Sequence, residues 1–279
     1  MTKPLTVLCV GDVFGEPGRR AVQVLLPKLR KQYEADLAVV NVENAAAGFG
    51  VTPLIARTFL DQGVDVMTSG NHIWDKKEAL DYIGTEPRLL RPANFPAGAP
   101  GNGSYLARSR DGRSVGVVNV MGRVFMTPLD DPFVVVQREV AKLRERTRVI
   151  FVDFHAEATS EKLAMGWHLD GAVTAVVGTH THVQTADDRI LPRGTAYLTD
   201  TGMTGPHDSI IGVEVAPALA RFTTAMPQKF ETATANPRLN AVVIEADEQT
   251  GHATEIERLS YSLEELKDLS DVGSVRSSV

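Results

Sequence analysis

Two histidines one residue apart, His180 and His182, follow the apolar run Val176-Val177-Gly178-Thr179. Side chains of an extended chain alternate faces, so both imidazoles leave the same side. Neutral imidazole is the commonest metal ligand, and two of them add no charge to a site. The pair alone is a modest signal. It gains weight because other apolar runs end at Asp12, Glu43-Asn44, Asn71-His72 and His155. Taken singly, Asp12 or Asn44 reads as a cap or turn residue, and His155 as a satisfied core histidine. Those local readings do not explain why five runs end in oxygen or nitrogen donors. Two carboxylates, two carboxamides and three or four imidazoles are too many for one tetrahedral zinc. They suit two octahedral-type ions with mixed donors, iron or manganese before zinc. Either Glu43 or Asp12 would supply the anion shared between the ions. Two metals about 3.5–4 Å apart clamp a phosphoryl group and turn a shared water into a hydroxide nucleophile for attack on phosphorus. The departing oxygen then needs a proton, and His72, one residue beyond Asn71, is the candidate general acid. His168 and His252 fall outside this pattern and read as surface histidines, while His207 stays open.

The elements that must position these residues alternate in type. Residues 5–10, 37–42 and 64–68 read as buried strands. Helices fall between and after them at 17–33, 52–62 and 76–82, with Thr52 and Pro53 as cap and first helical residue. Further strands are predicted at 115–120, 149–154, 173–177 and 195–198. The intervening helices lie at 134–146, 159–167 and 217–224, with Glu161 and Lys162 on an exposed face. Residues 241–245 and 253–259 read as a closing hairpin. The rhythm predicts an α/β fold of parallel neighbours and right-handed crossovers, with ligands gathering beyond the carboxyl ends of the strands. Residues 86–114, dense in Pro, Gly and Asn, read as a loop-rich excursion. Extended to about 133, it is a candidate pocket lining. Asn94, Arg123 and Phe125 are its candidate substrate contacts, with Arg123 facing phosphate or Phe125 stacking on a base. One domain is expected over 1–265, with a frayed Ser-rich tail at 266–279.

A net charge of −6 argues against a general polyanion-binding surface, so no stable nucleic-acid complex is expected. The single cysteine, Cys9, excludes an intramolecular disulfide and suits a reducing cytoplasm. No apolar run is long enough to span a bilayer, and the first one is too short for a secretory signal. A cytoplasmic protein without a membrane partner is expected, and a homo-oligomer is compatible with the sequence.

The blocks Gly11-Asp12-Val13-Phe14, Asn41-Val42-Glu43-Asn44, Ser69-Gly70-Asn71-His72-Ile73-Trp74-Asp75, Phe154-His155-Ala156-Glu157 and Gly178-Thr179-His180-Thr181-His182 resemble the calcineurin-like metallophosphoesterase superfamily. Two departures stand out. Phe14 occupies the place of a metal-binding histidine, and Glu43-Asn44 that of a bridging aspartate. Both departures are similar to a narrower branch, the YmdB-type phosphodiesterases. So are Val42-Glu43-Asn44-Ala45-Ala46, Gly122-Arg123-Val124-Phe125-Met126 and Asp200-Thr201-Gly202-Met203-Thr204-Gly205. The resemblance implies a metallophosphoesterase-type αββα sandwich of two mixed β-sheets flanked by helices. It implies one ion at Asp12, Glu43, Asn44 and His182 and another at Glu43, Asn71, His155 and His180. Glu43 would bridge them, Asn44 would replace the ligand lost at Phe14, and His72 would be the acid. The substrate class implied is a nucleotide phosphodiester, 2′,3′-cyclic nucleotides foremost. The alternatives are a broad-specificity phosphomonoesterase, a metal-containing nucleotide- or RNA-binding regulator with little turnover, and a purely structural metal site.

Overall fold

The computed structural model describes residues 3–265; the tail expected at 266–279 lies outside the described residues. Strand β1 (Leu5–Val10) is buried along its whole length, as an apolar run covered on both faces must be. There follow α1 (Gly15–Gln32), β2 (Leu37–Asn41), α2 (Pro53–Asp61), β3 (Val66–Thr68) and α3 (Lys77–Ile83). Thr52 caps α2 by accepting from the Ile55 N–H, and Pro53 fills the first turn, where no N–H is needed. The chain continues through β4 (Ser104–Arg108), β5 (Ser114–Met121), α4 (Pro132–Arg144), β6 (Ile150–His155), α5 (Thr159–Leu169) and β7 (Ala175–Thr179). The last elements are β8 (Arg189–Ile190), β9 (Ala196–Leu198), β10 (Gly205–Pro206), α6 (Val215–Thr224), β11 (Pro237–Ala246) and β12 (Ala253–Ser262). No helix among the described residues is long and apolar enough to cross a membrane.

These strands build two mixed sheets. The first runs β10-β11-β1-β2-β3, with β12 also on β11. Its β1, β2 and β3 are parallel, and β11 runs against β1. The second runs β4-β5-β6-β7-β9-β8, parallel through its four central strands and antiparallel at both edges. Alternation sorts their side chains. Leu5, Val7 and Cys9 meet Val117, Phe151 and Val177 between the sheets, whereas Leu8 and Val10 pack under Ala21, Val22 and Leu25 of α1. Val136 and Val140 of α4 and Met165 of α5 cover the far face of the second sheet. The layers are therefore helix, sheet, sheet, helix, the αββα sandwich.

Beyond the short strands β8 and β10, which the sequence did not suggest, three details differ from the sequence reading. The stretch 86–114 contains a strand, β4, which completes an edge by pairing with β5 over Ser104↔Val118 to Arg108↔Ser114. Its half-exposed side chains hide it from a search for apolar runs. Glu161 and Lys162 are not exposed: Lys162 keeps only 1% of its surface and Glu161 8%. The closing hairpin is also longer at both strands than the sequence suggests.

A cluster of polar side chains around Asp153 lies between the sheets. Asp153 of β6 accepts from Thr68 Oγ1 at 2.5 Å and Asn41 Nδ2 at 3.1 Å, both from the first sheet, and from Thr179 Oγ1 at 2.7 Å. Burial raises its pKa, against the pull of these donors and of His155.

Candidate metal centre

The parallel strands of both sheets deliver their carboxyl ends to one edge of the sandwich. Asp12 follows β1, Glu43 and Asn44 follow β2, and Asn71 and His72 follow β3. His155 closes β6, and His180 and His182 follow β7. Around His155 Nε2 stand Glu43 Oε1 at 3.1 Å, Asn71 Oδ1 at 3.1 Å and His180 Nδ1 at 3.0 Å. Ligands at right angles on bonds of about 2.1 Å lie about 3.0 Å apart, so this spacing is compatible with neighbouring ligands of one octahedral ion. A second group gathers donor atoms of Asp12, Glu43 and His182 within 4.8 Å of one another, and Asn44 Oδ1 lies 3.2 Å from His182 Nε2. Glu43 belongs to both groups.

The surroundings fix which atoms are offered. Thr179 Oγ1 donates to Asp153, so it must accept from His155 Nδ1 at 2.8 Å. His182 Nδ1 donates to the Ile211 carbonyl at 2.9 Å, leaving Nε2 as the bare nitrogen. Asn44 Nδ2 donates to the Gly48 carbonyl at 2.9 Å, which turns Oδ1 toward His182. Two observations fit metal ions here. Asp12 is fully buried and its Oδ2 accepts from the His180 N–H at 3.1 Å. Its Oδ1, however, is buried without a hydrogen-bond partner among the described residues. The centre is also cradled by backbone: a Cβ on Gly70 would stand 2.2 Å from His155 Nε2 and 2.3 Å from Glu43 Oε2.

Electrostatics agree. Burial pushes the Asp12 carboxyl up, against the histidines His182 and His155. Burial acts the same way on Glu43, but the charge and hydrogen bond of His155 outweigh it and hold Glu43 below the usual carboxylate range. His155, deprived of water, is still pushed up by Glu43, Asp12 and Asp153. The cluster of carboxylates attracts one positive charge to the spot where the four donors meet, a demand that a metal ion could answer in place of a proton. His180 is pushed down by burial and then by His155, which leaves it neutral.

The other expected residues take more varied places. Phe14 is buried, with its ring edge-on to His182 at 5.6 Å. It packs so closely on Gly48 and Gly212 that a Cβ at either would meet it at 2.9 or 2.7 Å. His72 donates its N–H to Glu43 Oε2 at 3.4 Å, and its Nδ1 pairs with Asp75 at 2.8 Å. The side chain is 28% exposed, at the mouth of the site, edge-on to Phe49. Asn94 is not available to a substrate. It is fully buried, accepts from the Met121 N–H at 3.0 Å, and donates to the carbonyls of Met121 at 2.8 Å and Asp130 at 3.1 Å. All of its polar capacity goes to holding the chain together. The Arg123 guanidinium pairs with Asp131 at 2.9 Å on the surface, and Glu161 holds the Arg123 N–H at 3.0 Å. Phe125 is 90% exposed with φ +61°. His207 is spent on the Gly205 carbonyl at 3.0 Å and Asn240 Nδ2 at 3.2 Å. Sequence reasoning missed Glu157, whose Oε2 lies 3.2 Å from His180 Nε2, and the support given by Asp75 and Asp153. Their spacing from His155 and His72 was the available signal.

A metallophosphoesterase-type fold is what the αββα sandwich and its strand-end cluster define. Within that class the chain belongs to the YmdB-like protein family, whose model matches residues 8–259. It is 50% identical over 255 residues to the 2′,3′-cyclic-nucleotide 2′-phosphodiesterase of Bacillus subtilis strain 168, covering 91% of this chain and 96% of that protein. Among solved structures it resembles a hypothetical protein from Thermus thermophilus, with a TM-score of 0.86 and 44% identity over 92% of this chain and 99% of that one. A novel phosphatase from Mycoplasma pneumoniae gives a TM-score of 0.88 and 33% identity over 96% and 98% of the two chains.

Proposed function

We propose that this phosphoesterase is a dinuclear metal-dependent phosphodiesterase whose favoured substrates are 2′,3′-cyclic nucleotides. The observation that carries it is the sharing of Glu43 between two groups of donors, Asp12–Asn44–His182 and Asn71–His155–His180. A mixed oxygen and nitrogen set of this kind suits iron or manganese, with zinc also able to bind. When bound, such a pair supplies Lewis acidity toward the phosphoryl oxygens and a water acidic enough to attack near neutrality. Glu43, common to both groups, would be held by both ions, and its negative charge would offset the repulsion between them. Asp75 occupies His72 Nδ1, which leaves Nε2 to pass a proton to the departing ribose oxygen. The relative named as a 2′,3′-cyclic-nucleotide phosphodiesterase, half identical over nine-tenths of the chain, supports the substrate class.

We read residues 1–265 as one catalytic unit in which the 86–133 segment borders the pocket. Its Gly122 N–H donates to the His155 carbonyl at 3.0 Å, and Asn119 Oδ1 accepts from the Ser69 N–H at 3.0 Å. Arg123 and Phe125 are its remaining candidate contacts for phosphate and base. The lone cysteine, buried and free, suits action in the reducing cytoplasm.

The test compares 2′,3′-cyclic AMP, bis(p-nitrophenyl) phosphate and p-nitrophenyl phosphate with manganese present, using the parent chain and His72→Ala. The cyclic nucleotide should be hydrolysed best. His72→Ala should lose about 10²- to 10⁴-fold on it, keep its metal, and lose far less on esters whose nitrophenolate leaves without a proton. A preference for the monoester would make the protein a phosphomonoesterase. A parent that binds the cyclic nucleotide without turnover would make it a regulator.

A further inference from the structure

Both histidines of the Gly178-Thr179-His180-Thr181-His182 segment sit in left-handed backbone, His180 at φ +102° and His182 at φ +67°. Non-glycine residues avoid this region, and it persists only where the surroundings over-determine it. Thr181, between them, is gripped by one group. Asp200 Oδ2 accepts from its N–H at 3.1 Å and from its Oγ1 at 2.8 Å. The same oxygen takes Lys162 Nζ at 2.5 Å, and Lys162 Nζ also donates to the Thr179 carbonyl at 2.7 Å. Lysine and aspartate each keep 1% of their side-chain surface, so this is a fully buried ion pair. Asp200 Oδ1 meanwhile accepts from the Gly202 N–H at 2.8 Å, and the next residue, Met203, donates its N–H to the His182 carbonyl at 3.1 Å. Gly178 makes room for this arrangement. A Cβ there would meet the Thr199 carbonyl oxygen at 1.8 Å and Lys162 Cδ at 3.3 Å.

A buried pair of this kind is poor evidence for stability, because desolvation of two charges cancels most of their attraction. All but one of its hydrogen bonds, however, end on the backbone and hydroxyl that flank two ligand positions. We propose that Lys162 and Asp200 are positioning residues for the metal centre: they clamp Thr179 and Thr181, and so hold His180 and His182 in the strained backbone that presents one imidazole to each ion. This gives the Asp200-Thr201-Gly202 segment, which offers no donor to the centre itself, a role in building it. The inference rests on the metal-centre reading of the site.

The experiment measures manganese uptake by titration calorimetry, together with the melting temperature of the metal-free protein. It uses the parent chain, Thr181→Val, and the double variant Lys162→Met/Asp200→Asn, which removes both charges and leaves neither buried alone. Manganese affinity should fall about 10- to 100-fold in the double variant and by a smaller factor in Thr181→Val, as for other groups that orient ligands from behind. The metal-free melting temperature of Thr181→Val should stay close to the parent's. Lower melting temperatures with parental manganese affinity would make the pair a fold element only. If the double variant does not fold, Thr181→Val decides: parental affinity in it overturns the proposal. A parent that takes up no manganese overturns the metal centre itself, and with it the brace.

Discussion

Replacing Gly70 by alanine would drive a methyl group into the centre of the cluster. The added carbon would stand 2.2 Å from both Cδ2 and Nε2 of His155 and 2.3 Å from Glu43 Oε2, where ordinary contact begins at 3.4 Å. At least one of the two must retreat by about 1 Å, and neither has an exit: His155 is fully buried and Glu43 is 1% exposed. Gly70 does not lie in left-handed backbone, so the main chain itself tolerates alanine, and on backbone entropy alone the change would stabilise by about 0.4–1 kcal/mol. The clash therefore acts on the site. A misplacement of about 1 Å at reacting groups costs on the order of 10²-fold in rate. We expect Gly70→Ala to lose about that factor in kcat on 2′,3′-cyclic AMP at saturating manganese, with reduced metal content by mass spectrometry and an unchanged far-ultraviolet spectrum. A variant within about threefold of the parent rate and fully loaded with metal would refute this account of the cradle.

Dialysis against a chelator should abolish activity but leave secondary structure intact, since the three apolar clusters contain none of the donor residues; restoring manganese should restore the rate and raise the melting temperature. An apo chain that unfolds at room temperature would instead show a structural metal site. Asn94→Ala should lower stability by about 1–3 kcal/mol in urea unfolding, because it orphans a buried N–H and two carbonyls, without moving KM for the cyclic nucleotide. A KM raised about tenfold with stability intact would return Asn94 to the substrate. Cys9, 5% exposed and with its thiol pushed up by burial and by Asp153, should ignore a thiol reagent until the protein is denatured. Rapid labelling of the native chain would contradict the packing between the sheets.

The candidate centre was readable because its side chains stand at or shortly after the ends of short apolar runs, so that locating β1, β2, β3, β6 and β7 also located the cluster of Asp12, Glu43, Asn71, His155 and His180. What stayed hidden depends on partners far along the chain. Lys162 looks like a surface residue on a helix until Asp200, from a different strand end, supplies a buried counter-charge. Asn94 has the chemistry of a substrate contact, and only the fold shows that Met121 and Asp130 consume it. β4 follows Gly101-Asn102-Gly103 and alternates too weakly to stand out, because only Ala107 in this edge strand is buried and the side chains of Ser104, Tyr105 and Leu106 are all half-exposed. Phe14 marked a missing ligand in the sequence, but nothing local said that its ring would lie edge-on to His182.

Asp153 carries a consequence for how the molecule can move. Oily faces of two stacked sheets resist separation yet care little about sliding by a fraction of an ångström, since such contacts have no direction. A carboxylate tied to Asn41 and Thr68 on one side and Thr179 on its own side does have direction. It sets the registry of the two layers immediately beneath the point where each contributes its share of donors. Shear between the halves would thus break this lock before it could pull the pocket apart, and catalysis would sense slippage in the sandwich long before the hydrophobic interior did.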